Sequence, residues 1–129
     1  FKDCFFVFEG FHANGTPDIS IYGKLEGEEY PEPICDVTAN INVGDNRRML
    51  VPIKSYSENE GLIETLRGIG VIKQEGKGGY SGFVHIPVCL FDWGVFNDYC
   101  HHYDNKEKFD EAVGNAMVIL EGKNENNNL

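Results

Sequence analysis

The chain has 129 residues, 41% of them hydrophobic and 12% aromatic, which suits one domain with a packed core. Its 21 acidic and 11 basic residues give a formal charge of −10, which argues against direct nucleic-acid binding, because phosphate attraction needs clustered lysine and arginine. No apolar run approaches the ~18 residues of a transmembrane helix, and the start carries no signal-peptide pattern, so no membrane contact is expected. Residues 2–9 read as a strand, and 19–22 as its return across an Asn14-Gly15 turn signal, with a loop too long for a tight hairpin. Residues 24–33, polar and acidic with Pro31 and Pro33, read as a loop. The clearest strand covers 35–43, where Cys35, Val37, Ala39, Ile41 and Val43 alternate with Asp36, Thr38, Asn40 and Asn42. Gly44-Asp45-Asn46 marks a turn, and 49–53 a further strand, with Pro52 pointing to an edge or an end.

A short helix is expected over about 58–67. Ser57 and Glu60 stand at the capping-box spacing, in which the hydroxyl and the carboxylate each satisfy an amide of the first turn. Leu62, Ile63 and Leu66 follow, and Gly68 and Gly70 supply a stop. Residues 71–74 are strand-like, 76–79 form a glycine-rich turn, and 80–91 read as one long strand. Trp93, Phe96, Tyr99 and Tyr103 fall at helical spacing. Asp104 and Glu107 repeat the capping spacing ahead of a stripe of Phe109, Ala112, Val113, Ala116, Met117 and Leu120, with Gly122 as the stop. The order of elements predicts an α+β fold: a mostly antiparallel sheet with one short central helix and a C-terminal helix packed on one face. One domain is expected over residues 1–122, with 123–129 a polar tail.

The cysteines (Cys4, Cys35, Cys89 and Cys100) are read as reduced thiols in a cytoplasmic setting, since three of them lie in apolar strand-like stretches. Cys100-His101-His102-Tyr103-Asp104 offers zinc-competent ligand types, but neighbours on a helix diverge by about 100° and cannot share one ion comfortably. No second ligand pair with metal spacing exists in the sequence, so neither a metal nor another cofactor is specified. His85 and Cys89 share a strand face about 13 Å apart, too far for a hydrogen bond. Residues 76–82 lack the order of a phosphate-binding P-loop.

The acidic residues are more suggestive. Glu26, Glu28, Glu29, Glu32 and Asp36 lie close together, and Glu58, Glu60 and Glu64 cluster on the expected helix, where Glu60 has a capping role and acidic groups favour the helix dipole. Capping leaves Tyr56, Glu58 and Asn59 without a structural role, which makes them candidate partner contacts.

Three stretches carry a resemblance. They are Val51 through Leu62, with the helix that ends Gly68-Ile69-Gly70-Val71; Ser81 through Leu90; and Asp36 through Ile41, with the approach Gly27-Glu28-Glu29-Tyr30-Pro31. Together they resemble a family of small acidic proteins of unknown function carried by gut bacteria, their phages and their conjugative elements. The resemblance covers about residues 19–90 and implies no catalytic residues. Carriage on mobile elements implies action on host defence or on a transfer apparatus.

The expected function is therefore non-enzymatic binding of a protein partner, as an inhibitor or accessory of a nucleic-acid-handling protein. The contact would use the carboxylates of 26–36 together with Tyr56, Glu58, Asn59 and Glu64, with negative surface standing in for nucleic acid. One alternative is a module that holds an anionic nucleotide or metabolite near Arg47, Arg48 and Lys77. Another is a metal-dependent hydrolase built on His101 or His102.

Overall fold

In the computed structural model, residues 2–121 are described. Strands β1 (Lys2–Phe11) and β2 (Pro17–Lys24) form an antiparallel hairpin that pairs Phe8 with Ile19 and Phe6 with Ile21. Strand pleating sends alternate side chains to opposite faces. Phe6, Phe8, Ile19 and Ile21 thus enter or flank the core, while Val7 and Glu9 share the other face with Ser20 and Tyr22. β3 (Glu32–Asp36) pairs antiparallel with β2.

The second sheet follows β4 (Val51–Pro52), helix α1 (Leu62–Gly68) and β5 (Ile72–Glu75). β6 (Gly79–Ser81) and β7 (Val84–Ile86) make a separate hairpin. β8 (Val88–Phe91) then runs between β4 and β5. Helix α2 (Trp93–Asp98) leads to β9 (Cys100–His101), which pairs in parallel with β1 and completes the order β3-β2-β1-β9. Helix α3 (Lys106–Glu121) closes the described chain. The fold is α+β with mainly antiparallel pairing, as expected.

Aromatic rings join the layers. Phe6 stacks on Phe96 of α2 at 4.9 Å, Phe8 meets Phe109 of α3 at 5.3 Å, and Trp93 lies against both Phe96 and Phe109. Burying rings of this size contributes several kcal/mol apiece, ~2–3 each by transfer. α3 is held through buried Phe109 and Ala116, whereas Met117 of the expected stripe is exposed. Among the described residues no helix is long and apolar enough to cross a membrane.

Four expectations about local structure are corrected. The Ser57–Glu60 capping box does not form. Ser57–Asn59 is a 3₁₀ turn with Ser57 at φ +59°, and α1 begins at Leu62 behind Gly61 at φ +89°, with no side-chain cap at either start. The physical reason is tertiary: the Asn59 amide is drawn inward to the carbonyls of Asp36 and Lys54, a buried anchor that an exposed cap cannot match.

The strand over 35–43 is only partly formed, because β3 ends at Asp36 and takes in Glu32 and Pro33 from the expected loop. Pro33 is tolerated because β3 is an edge strand. Beyond Asp36 the chain stitches the two sheets together. Val37 donates to Ile19 of β2, while Ala39 donates to Pro52 of β4 and Lys54 donates to Val37. Burial does not alternate there either: Val37, Thr38 and Ala39 are buried in succession, Thr38 because its Oγ1 accepts from the Ile19 N–H, and alternation holds only from Asn40 to Val43.

The long strand over 80–91 breaks twice, at a turn where Gly82 has φ +62° and Phe83 is fully exposed, and at Pro87, which offers no N–H to a ladder. Lastly, Asp104 sits inside a 3₁₀ turn (Tyr103–Asn105) whose cap is His102, and Tyr99 and Tyr103 are exposed outside α2. The Gly122 stop and the tail 123–129 lie outside the described residues.

Candidate functional site

The β2–β3 connection, residues 25–31, is closed by a hydrogen bond from the Glu28 N–H to the Leu25 carbonyl and presents Glu26, Glu28 and Glu29 to solvent. Glu32 and Asp36 are exposed at the two ends of β3, the outer strand of its sheet. The Asn59 bond to the Asp36 carbonyl seats the 3₁₀ turn beside Asp36. Exposed Glu64 lies in the first turn of α1. The side chain of Glu58 lies outside the described residues.

Two of the candidate contacts change character. Asn59 is buried, and its Oδ1 has no hydrogen-bond partner among the described residues, so it belongs to the scaffold. Tyr56 is half-buried with the Lys54 ammonium 5.9 Å from its ring centre.

Strand pairing adds residues that sequence reasoning missed. The Ser20 hydroxyl lies 2.9 Å from Glu9 Oε2 and 3.3 Å from Asp36 Oδ1, and the Tyr22 hydroxyl donates to Glu9 Oε1 at 3.1 Å. A hydroxyl has one proton, so Ser20 can satisfy only one of its two carboxylates at a time. Asp18 joins them. Burial pushes its carboxyl above the ordinary range, Glu9 and Asp36 push the same way, and His12, 3.6 Å away, opposes them. Burial and the bond to Glu9 likewise raise the Tyr22 phenol. Period-two spacing places Asp18, Ser20 and Tyr22 on one face of β2, but which face Glu9 and Asp36 share depends on register, which no local pattern states.

The cysteine–histidine stretch is pulled apart. His101 turns outward against the Phe5 ring at 4.1 Å. His102 turns inward, 4.2 Å from the Phe109 ring and 2.6 Å from Asn97 Oδ1, and its burial lowers its proton affinity. Cys100 Sγ is 3.9 Å from His102 Nδ1, yet burial pushes its thiol up to about 11, so it remains protonated. Burial likewise takes Cys89 to about 12. Among the described residues no group of three His, Cys, Asp or Glu side chains could hold a metal ion.

His12 bridges Thr16 Oγ1 (3.0 Å) and Asp18, which has the outline of a nucleophile–base–acid relay. Thr16 is wholly buried, and its hydroxyl donates to Asn14 Oδ1, so the arrangement fastens the β1–β2 loop.

The three basic candidates divide. Arg47 pairs with Asp45 at 2.8 Å and lines a groove against α3. Arg48 and Lys77 converge on a different cavity of about 220 Å³, bounded by residues 76–79.

No family model, no curated protein and no solved structure matches this chain.

Proposed function

We propose that this chain is a non-enzymatic protein that binds a basic macromolecular partner. The contact surface runs from the β2–β3 loop along β3 to Asp36, and then across the sheet face to Asp18 and Glu9. The observation that carries the reading is the group around Ser20, where two carboxylates face one hydroxyl proton and burial raises a third carboxyl above its ordinary range. Like charges gathered this closely repel, and a guanidinium or ammonium placed among them offsets that cost. The exposed glutamates of the loop extend the same sign outward and would speed the approach of a basic partner.

The resemblance to acidic mobile-element proteins supports a partner that handles nucleic acid, such as a host-defence nuclease met in the cytoplasm, with carboxylates occupying the places of phosphates. The raised thiols and the packed His102 favour binding over hydrolysis.

The test is affinity capture from the cell that carries the gene, using the chain and a variant with Glu26, Glu28, Glu29 and Glu32 all changed to Gln. A basic nucleic-acid-handling protein should be retained by the chain, released by duplex DNA, and at least tenfold depleted on the variant. Equal retention by both, or retention that DNA does not compete, overturns the proposal.

A further inference from the structure

The geometry points to a second, independent site: we propose that the cavity shared by Arg48 and Lys77 binds a small organic anion with a compact aliphatic body. Its floor is apolar, made of Ile41, Val43, Leu50 and Val88. Leu50 and Val88 belong, with Leu90, to a minor hydrophobic cluster separate from the main core, and Ile41 and Val43 are only half-buried against it. Two cationic residues line the cavity with them, and among the described residues its lining includes no carboxylate.

The glycine-rich wall is held in place. The Lys77 carbonyl is 2.7 Å from His85 Nε2, and Gly76 donates to Val88. At Gly78, with φ +77°, an added Cβ would lie 2.2 Å from the Ile86 carbonyl oxygen, so the loop presses onto β7 with no room for a side chain. Gly79 leaves little more space, since its Cβ would stand 3.3 Å from Ile41. The wall is thus preformed before any ligand arrives, which lowers the ordering cost of binding.

Size and chemistry limit the occupant. At about 220 Å³ the cavity falls below the ~300–1,000 Å³ of sites for drug-sized ligands. Among the described residues no aromatic side chain lines it to stack a base. The cavity suits a carboxylate or phosphate monoester on a short alkyl chain better than a nucleotide. Arginine offers a planar fork to either anion and lysine a point charge, while the alkyl body covers the aliphatic floor. Arg47 takes no part, being turned to the groove on the α3 side.

The test is a backbone amide NMR titration with hexanoate, hexyl phosphate, inorganic phosphate and hexanol as probes. Hexanoate or hexyl phosphate should shift the amides of residues 76–79 and of Val43 and Leu50, with affinity on the order of millimolar for so few atoms. Hexanol and inorganic phosphate should each bind at least tenfold more weakly, as each lacks one half of the recognition. Lys77→Gln, at an exposed loop position, should weaken binding about tenfold with an unchanged amide spectrum elsewhere. Arg48→Gln should weaken it at least as much, and Arg47→Gln should leave it unaltered. No shift at these amides with either alkyl anion, equal binding of hexanol, or an Arg47→Gln loss equal to that of Lys77→Gln overturns the proposal.

Discussion

Asp18 concentrates the electrostatics of the sheet face in one side chain. Burial raises its proton affinity first, Glu9 and Asp36 add to the rise, and His12 subtracts. A carboxyl whose folded pKa exceeds its unfolded value favours folding below the unfolded pKa, near 3.9, and that preference is lost as pH climbs through the folded value. Above both values the charged group works against the fold. Asp18→Asn should therefore stabilise the protein at pH 7, by about 0.5 kcal/mol for a group this exposed, or about 2 °C in Tm. The gain should shrink toward zero by about pH 3, where the native carboxyl is already protonated. Thermal melts of both proteins across pH 3–7 check this, and a variant no more stable at pH 7 than the parent would show that the His12 contact outweighs the repulsion. Asn59 marks the opposite case: a polar side chain that sequence spacing offered to a partner is committed to the Asp36 and Lys54 carbonyls inside the fold.

At the level of elements, α1 separates local from tertiary control. If Ser57 capped the helix, Ser57→Ala would cost about 1 kcal/mol. In the structure its hydroxyl caps nothing, and alanine meets the same φ of +59° as serine, so the substitution should change stability by less than about 0.5 kcal/mol. Urea unfolding distinguishes the two values. The contrast also shows what the sequence made legible. Alternating or 3.6-residue hydrophobic spacing located β1, β2, β5, α3 and the apolar face of α1, because each buries one face against the core. Element ends were less legible, because they depend on contacts distant in sequence. The 37–43 segment buries Val37, Thr38 and Ala39 in succession, because it bonds to β2 on one side and β4 on the other. The 80–91 segment folds back at Gly82 and loses its ladder at Pro87, although its hydrophobic residues keep their period.

The same limit governs the candidate surfaces when the molecule is taken whole. The loop glutamates could be read directly, since exposure follows from a polar run between strands. The gathering of Glu9 and Asp18 with Asp36 could not, because it needs the register of three strands. Nor could spacing separate Arg47 from Arg48, adjacent residues that face different cavities. What composition did state is the charge of −10, and its consequence is a property of the entire fold. Compacting the chain crowds that charge, so the native state repels itself more than the expanded unfolded state does. Raising NaCl from 20 to 500 mM shortens the screening length from about 20 to about 4 Å, which relieves the native state preferentially. Tm at pH 7 should therefore rise by several degrees over that range. In the variant with Glu26, Glu28, Glu29 and Glu32 changed to Gln, the formal charge falls from −10 to about −6, and the rise should be visibly smaller. A salt-independent Tm in the parent would mean that the charges are spread widely enough for solvent to cancel them, and it would remove the electrostatic ground for a dedicated basic partner.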